Sequence, residues 1–428
     1  MIRLYRYGDD PDRQIFARQA ETADVSAAVK EILAAVEQRG DAAVLEYGRC
    51  FDGAAPEQLE ADAAAIEKAR EAVGEDFLQL LERAAGNIRA YHAMQRREGF
   101  EIRRPDGVIL GERILPLRRA GLYVPGGTAA YPSTVLMNVI PAKIAGCEEV
   151  VLVSPPTCGG EIHPAILAAA SVAGADRIFR CGGAQAIAAL AFGTETIPAA
   201  DKITGPGNVY VAEAKRQVFG RVAIDMIAGP SEILIIADGE ADPTEVSADL
   251  LSQAEHDKNA SAVLVTDSES LAAAVQAELE RQIPLLPRKE IARASVDNNG
   301  KIILTEDLLQ AARIADRLAP EHVELCVKEP CVLFEKIRSA GSVFLGRYCP
   351  EALGDYYAGP NHTLPTGGTA RFSSALSVDD FIRKTQYIYY TEKALKEEAP
   401  DIAAFARREG LEAHARSALV RFDREVIQ

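Results

Sequence analysis

Six histidines are spread over 428 residues: His92, His163, His256, His322, His362 and His414. Four of them stand in segments dense with Gly, Pro and acidic residues. Gln253-Ala-Glu-His256-Asp257 closes a predicted helix. Residues 253 and 256 are three apart and share a helix face, so an amide oxygen and a neutral imidazole could point at one cation. A surface or capping histidine is the plainer reading of that segment alone, because Gln is an unusual zinc ligand.

Pro320-Glu321-His322-Val323 sets a carboxylate beside an imidazole just before a short predicted strand. Either group can act as a general base if its pKa is tuned toward neutrality. Strand ends of α/β sheets are where such groups gather; a loop with two solvated charges is the alternative. Pro350 to Arg371 reads as a long Gly- and Pro-rich loop holding Asp355, Asn361 and His362. Loops of that make-up carry function when a rigid scaffold holds them. Gly205-Pro-Gly-Asn208 opens a helix after a short strand, and free N–H groups at a helix start can hold phosphate. It is not a G-x-G-x-x-G fingerprint, since position 210 is Tyr, so the residues alone support a dinucleotide only weakly. Asp225 to Glu232 brings a hydroxyl, Ser231, and a carboxylate, Glu232, to the junction of two predicted lobes, and crevices between lobes favour ligands.

The composition narrows the partners. A formal net charge of −16 argues against nucleic acid and anionic membranes, which need basic surface. The longest apolar stretch, Ala165 to Ala175, is far short of the roughly 20 residues of a membrane span. The start, MIRLYRYGDD, has no signal-peptide core, so a cytoplasmic protein is expected. The seven cysteines are scattered, without C-x-x-C spacing, so small reduced core residues are expected rather than a disulfide framework or a cysteine zinc site.

The elements that must position these residues follow from hydrophobic periodicity. Residues 1–106 read as a helical region packing on something larger, with helices at Val25 to Gln38 and Ala61 to Arg89. From 107 to 235 strands alternate with helices: Glu149 to Val153, Pro164 to Ala173, Arg177 to Phe179, Ala184 to Phe192, Asn208 to Val218. A second series fills 236–377, its first strand being Glu232 to Ala237 at the split near 235. Residues 378–428 read as a helical, charged tail. Strand–helix alternation means parallel sheets with helices on both faces.

Taken together the chain resembles the histidinol dehydrogenase family. The matching strings are GPGNVYVAEAK (205–215), DMIAGPSEILIIAD (225–238), LLSQAEHD (250–257), APEHVEL (319–325), SVFLG (342–346) and GDYYAGPNHTLPTGG (354–368). GLYVPGGTAAYPSTVLMN (121–138) and CGGAQAIAALAFGT (181–194) match more weakly. The resemblance runs from about residue 107 to the C-terminus and shows no departure at the metal or base positions.

It implies two incomplete Rossmann-like, aldehyde-dehydrogenase-like three-layer lobes with helical additions at both ends. It implies one zinc per subunit held by Gln253, His256, Asp355 and His414, with Ser231, His322 and Glu409 as further substrate contacts. Glu321 and His322 become the proton acceptors, and Tyr123, Gln185 and Asn208 the NAD contacts. The implied reaction oxidises L-histidinol through the aldehyde to L-histidine with two NAD. The implied assembly is a homodimer whose tail, with Glu409 and His414, reaches the partner's site. Three other readings stay open on the residues alone: a zinc hydrolase using Glu321 as base, a non-catalytic metal-binding scaffold, and a relative acting on another small alcohol such as sulfopropanediol. Glu409 and His414 favour histidinol.

Overall fold

The computed structural model describes residues 1–18, 24–53, 56–126, 130–157 and 159–427. Cys158, and residues 127–129 of the 121–138 string, lie outside the described residues. In chain order the strands are β1 (Arg3–Arg6), β2 (Phe100–Arg103), β3 (Ile109–Pro116), β4 (Arg119–Tyr123) and β5 (Glu149–Ser154). Then come β6 (Arg177–Arg180), β7 (Lys202–Thr204), β8 (Ala223–Ile224), β9 (Glu232–Ala237) and β10 (Ser261–Thr266). The last are β11 (Lys301–Leu304), β12 (His322–Cys326), β13 (Ser342–Leu345) and β14 (Ile382–Tyr389).

Two parallel sheets form the larger of two compact units, Met1–Gln95 with Leu117–Phe381. The first sheet has the order β6-β5-β4-β7-β8 and the second β1-β11-β10-β9-β12-β13. Their central strands are almost wholly apolar because both faces are covered. The side-chain period of two sends alternate residues to opposite cores. Leu152 and Ile178 join one core of the first sheet, Val151, Val153 and Phe179 the other. Ile233 and Ile235 join one core of the second sheet, Leu234 and Ile236 the other. Helix, sheet, helix: each lobe has three layers.

The N-terminal helices complete the first lobe. Helix Ser26–Arg39 packs on helix Gly183–Phe192 over one face, and helices Ala63–Val73 and Glu75–Ala93 cover the other. The single helix expected over Ala61 to Arg89 is two, parted at Gly74, whose φ of +78° the helix cannot continue through. The expectation of helix throughout residues 1–106 needs further correction. Arg3–Arg6 is an edge strand paired with β11 nearly 300 residues on. Four residues are too few to show a period, and a parallel partner so distant leaves no local signal.

The smaller unit is Arg96–Pro116 with Ile382–Gln428. Its antiparallel sheet has the order β14-β3-β2, followed by helices Glu392–Arg408 and Glu412–Leu419. Two expectations change here: residues 107–116 do not belong to the first lobe, and the tail is not helical from 378, since β14 occupies 382–389. The strand IRKTQYIY carries charges on an exposed surface, which hides its alternation. The buried core of this unit is thin and built of small side chains: Val108, Ala394, Ala399, Ala403, Ala406, Ala415 and Ala418.

One buried ion pair fixes the start of the interlobe connection. Lys215 Nζ donates to the Gly205 carbonyl at 3.0 Å and pairs with the Asp225 carboxylate, both side chains being almost fully buried. Asp225 in turn accepts from the N–H groups of Gly205 at 2.8 Å and Met226 at 2.6 Å. Gly205 has φ +112°, and a Cβ there would collide with the Tyr123 carbonyl. Lys215→Met is expected to destabilise the protein by roughly 3–5 kcal/mol, because it strands a buried carboxylate. Urea unfolding would measure this. A loss below about 1 kcal/mol would mean Asp225 finds another partner.

Candidate functional site

The candidate residues separate into two places in the larger unit and one in the smaller. In the second lobe the strand order reverses between β9 and β12. Glu232 opens β9, and Glu321 and His322 stand at the start of β12. Helix Pro243–Ala254 crosses over from β9 to β10, so its end returns to the amino ends of the strands and delivers Gln253 and His256 there. The helix starts where it does because Asp242 accepts from Thr244 N–H at 2.8 Å and Pro243 takes the first position.

Asp355 arrives from the segment expected to be a long loop. Glu351–Tyr356 is a short helix within it. Its first N–H, of Glu351, donates to the buried Glu324 carboxylate at 2.6 Å. Glu351 and Asp355 are four apart and therefore share a face. That spacing was visible in the sequence and would have paired the two acids had the segment been read as helix.

The geometry is tight. The Glu232 N–H donates to Glu321 Oε2 at 2.9 Å, and the Glu232 carbonyl lies 3.1 Å from His322 Nδ1. His322 Nδ1 is 3.7 Å from Glu321 and 3.5 Å from the Gln253 amide nitrogen. His322 Nε2 is 3.8 Å from Asp355 Oδ1 and 3.9 Å from Glu351 Oε1. His362 holds the Asp355 backbone, its Nδ1 lying 3.0 Å from that carbonyl. A cavity of about 100 Å³ opens beside this cluster, bounded by His322, Phe344, Asp355 and His362.

The electrostatics follow from burial and crowding. Burial pushes the Glu321 carboxyl up to about 7, against the pull of His322 and the Glu232 N–H. Burial disfavours charged His322, but Glu321, Asp355 and Glu351 outweigh it and raise the imidazole to about 10. For Asp355, burial is outweighed by the neighbouring histidines, which hold it at about 2. Burial raises Glu351 to about 8, with help from Asp355. His256 is lowered by burial, Asp355 opposing.

Several polar atoms here lack any partner: Gln253 Oε1, His322 Nε2 and Glu351 Oε1. An unmet buried polar atom costs about 1–3 kcal/mol, so three in one cluster point to a group that satisfies them when bound. Among the described residues, His322, Glu351 and Asp355 have donor atoms close enough together for a cation, as do Asp249, Glu324 and Cys326 beside them. The donor set of amide oxygen, imidazole and carboxylate suits a divalent metal. Ser231 lies between Gly229, held by Thr366 Oγ1 at 2.6 Å, and Glu232; its own carbonyl accepts from Ser261 N–H at 2.9 Å.

The first lobe holds the second group. Its strand order reverses between β4 and β7, and the crevice beyond the carboxyl ends at such a point is where ligands bind. Tyr123 ends β4, and its hydroxyl accepts from Gly183 N–H at 3.2 Å. Gln185, one turn into helix Gly183–Phe192, is buried with both amide atoms unpartnered. Asn208 caps helix Val209–Val218, accepting from Tyr210 and Val211 at 3.0 and 3.1 Å. Glu409 and His414 belong to the smaller unit, where both are exposed. Glu232, Glu351 and His362 were not singled out as site residues by sequence reasoning.

A three-layer pair of Rossmann-like lobes, with an acid–imidazole pair at one switch point and Tyr123 and Asn208 at the other, defines an aldehyde-dehydrogenase-like fold. A betaine aldehyde dehydrogenase from Staphylococcus aureus shares that fold alone, at 11% identity and TM-score 0.51 over 86% of this chain and 88% of that one. A family model described as histidinol dehydrogenase matches residues 16–422, and the chain belongs to that family. Histidinol dehydrogenase of Geobacillus kaustophilus is 54% identical over 406 residues, 95% of this chain and 96% of the relative. That of Bacillus subtilis is 53% identical over 398 residues, 93% of each. The crystal structure of histidinol dehydrogenase from Elizabethkingia anophelis superposes with TM-score 0.93 at 38% identity, covering 98% of both chains.

In the metal-free protein, His322 is expected to stay protonated through neutral pH, because three carboxylates favour the charged ring. Removing one by Asp355→Asn should move its titration down by at least about one unit. Nitrogen-15 NMR of the imidazole reads this directly, and an unchanged titration would remove Asp355 from the account.

Proposed function

We propose that this chain oxidises L-histidinol to L-histidine through L-histidinaldehyde, using two NAD and one zinc per subunit, as a cytoplasmic homodimer. The observation that carries the reading is the set of unpartnered buried atoms beside His322: its own Nε2, Glu351 Oε1 and Gln253 Oε1. Gln253, His256, Asp355 and His414 would hold the zinc, which when bound supplies an anchor for the imidazole and amine of the substrate. Tyr123, Gln185 and Asn208 would hold NAD, which supplies the hydride acceptor.

The chain's own residues do the proton work. His322 takes the proton of the substrate hydroxyl as the alcohol is oxidised. Its Nδ1, oriented by the Glu232 carbonyl, leaves Nε2 free for this task. With Asp355 engaged by a cation, its pull on the His322 proton weakens, and the neutral imidazole that a base requires becomes available. Glu321, raised toward neutrality by burial, removes a proton from the water that adds to the aldehyde carbon. Ser231 and Glu409 complete the substrate contacts. The zinc-hydrolase reading gives the first lobe's crevice and the unpartnered Gln185 no purpose.

Two NADH per L-histidinol are expected from a progress curve run to completion; a hydrolase gives none. Glu321→Gln should leave the first oxidation largely intact and slow the second by roughly 10²–10⁴, the usual contribution of a general base. L-histidinaldehyde supplied directly separates the steps, and normal turnover of it by this variant would unseat Glu321.

The dimer part of the proposal rests on the smaller unit. Its core of Val108 and six alanines is too thin to stand alone, while Phe100, Ile388 and Phe405 are largely exposed. Covering that surface with a second copy would carry Glu409 and His414 to the partner's site. The check is to refold His322→Asn together with His414→Asn. Acting in trans, each mixed dimer has one site with both lesions and one with neither. Random pairing makes half the dimers mixed, so about a quarter of the wild-type activity should return. Silence from a mixture shown by mass spectrometry to contain heterodimers would refute the exchange.

A further inference from the structure

A second, larger cavity of about 460 Å³ opens at the amino ends of the second sheet. Four cationic side chains line it, Arg3, Arg13, Arg18 and Lys301, against a single carboxylate, Glu232. That is an unexpected place for so much positive charge in a chain of net charge −16. Arg3 and Arg13 have no ion-pair partner among the described residues, although acids outnumber bases overall.

The floor of the cavity is built rather than incidental. Lys301 is only 8% exposed, in the first position of β11. Its ammonium has three N–H donors. Two go to the carbonyls of Ile15 at 2.8 Å and Ala17 at 2.6 Å. The third is left for the cavity. Burial, with Arg18 and Arg3 beside it, pulls the Lys301 ammonium down to about 8, and Glu232 opposes them only in part. Glu232, also 8% exposed, pairs with Arg18 Nε at 3.2 Å through Oε1 and leaves Oε2 without a partner.

From this arrangement we infer that the cavity is a binding site for a small phosphate ester, held by Arg3, Arg13, Arg18 and Lys301, and linked to the catalytic bases through Glu232. Guanidinium groups match phosphate oxygens in paired N–H contacts, and an ammonium adds a point charge. The volume exceeds what inorganic phosphate fills and lies in the range of small-metabolite pockets. Asn259, Asn298 and Asn299 supply neutral donors and acceptors for the remainder. The link is physical. The Glu232 backbone touches both Glu321 and His322, while its side chain shares Arg18 with the cavity. An anion that draws Arg18 toward itself loosens the pair that holds the start of β9.

The test uses zinc-loaded protein with NAD present in excess, so that nucleotide pockets do not compete, and fructose 1,6-bisphosphate as probe. Ionic strength is matched with sulfate. Calorimetry should show saturable binding to the wild type, weakened at least about tenfold in Arg3→Ser/Arg13→Ser. Both arginines are exposed and outside the catalytic machinery, so the double variant should keep its basal turnover. Saturating probe should change kcat of the wild type and leave the variant unaffected. No saturable binding, or a loss of less than tenfold in the variant, overturns the site. Binding with kcat unmoved overturns the link through Glu232 and leaves the site standing.

Discussion

Both candidate bases hang on the backbone of one residue, Glu232. Its N–H holds the Glu321 carboxylate at 2.9 Å and its carbonyl faces His322 Nδ1 at 3.1 Å. Backbone partners in the first residue of a buried parallel strand cannot swing away, so acid and imidazole are fixed relative to each other by the register of β9 and β12, where His322 lies opposite Ile233. A one-residue slip of that pairing would turn His322 to the other face of the sheet. The apolar alternation of Ile233, Leu234, Ile235 and Ile236 between two cores is what forbids the slip. Packing far from the chemistry therefore sets the position of the chemistry.

The fixed pair sits in a crowd of carboxylates. Glu232, Glu321, Glu324 and Glu351 are all buried, with Asp355 close by. Taken alone such a cluster is costly, because burial penalises each charge and the charges repel. The cost shows in the raised Glu321, Glu324 and Glu351 carboxyls, the last two reaching about 9 and about 8. Helix Glu351–Tyr356 is nonetheless held there by the Glu324 carboxylate at its first N–H. Stability is being spent on a site whose charge balance calls for cations, the positive ring of His322 being one of them.

The sequence was legible where elements are long and buried. Pro164–Ala173 and Glu232–Ala237 have the expected bounds because continuous apolar runs between turn residues admit little else. Glu321, His322, Gln253 and His256 stood out through uncommon residue types side by side. Their convergence was not legible, since it depends on strand order. Glu351 escaped notice because a lone glutamate in a Pro-rich segment looks solvated until the fold buries it, and Glu232 was legible only as a carboxylate near the lobe junction. His362 was seen, but its hold on the Asp355 carbonyl needs the helix that precedes it. β1, β2 and β14 were missed because short edge strands with charged faces carry almost no period.

The fold also explains why the second lobe's site lies at the unusual end of its sheet. Ligands in open α/β sheets gather beyond the carboxyl ends of strands, as Tyr123 and Asn208 do in the first lobe. Glu321, His322 and Glu232 lie instead at amino ends. The chain leaves β8 at its carboxyl end and enters β9 at its amino end after only Asp225 to Ser231. Seven extended residues reach at most about 25 Å. That short connection, anchored at its start by Lys215 and Asp225, keeps the carboxyl ends of the first sheet within reach of the amino ends of the second. The two groups of candidate residues therefore sit on opposite strand ends, Tyr123 and Asn208 at or after strand ends of the first sheet, Glu321, His322 and Glu232 at strand starts of the second. The same seven residues that hold the two groups of side chains on opposite strand ends also limit how far apart they can lie.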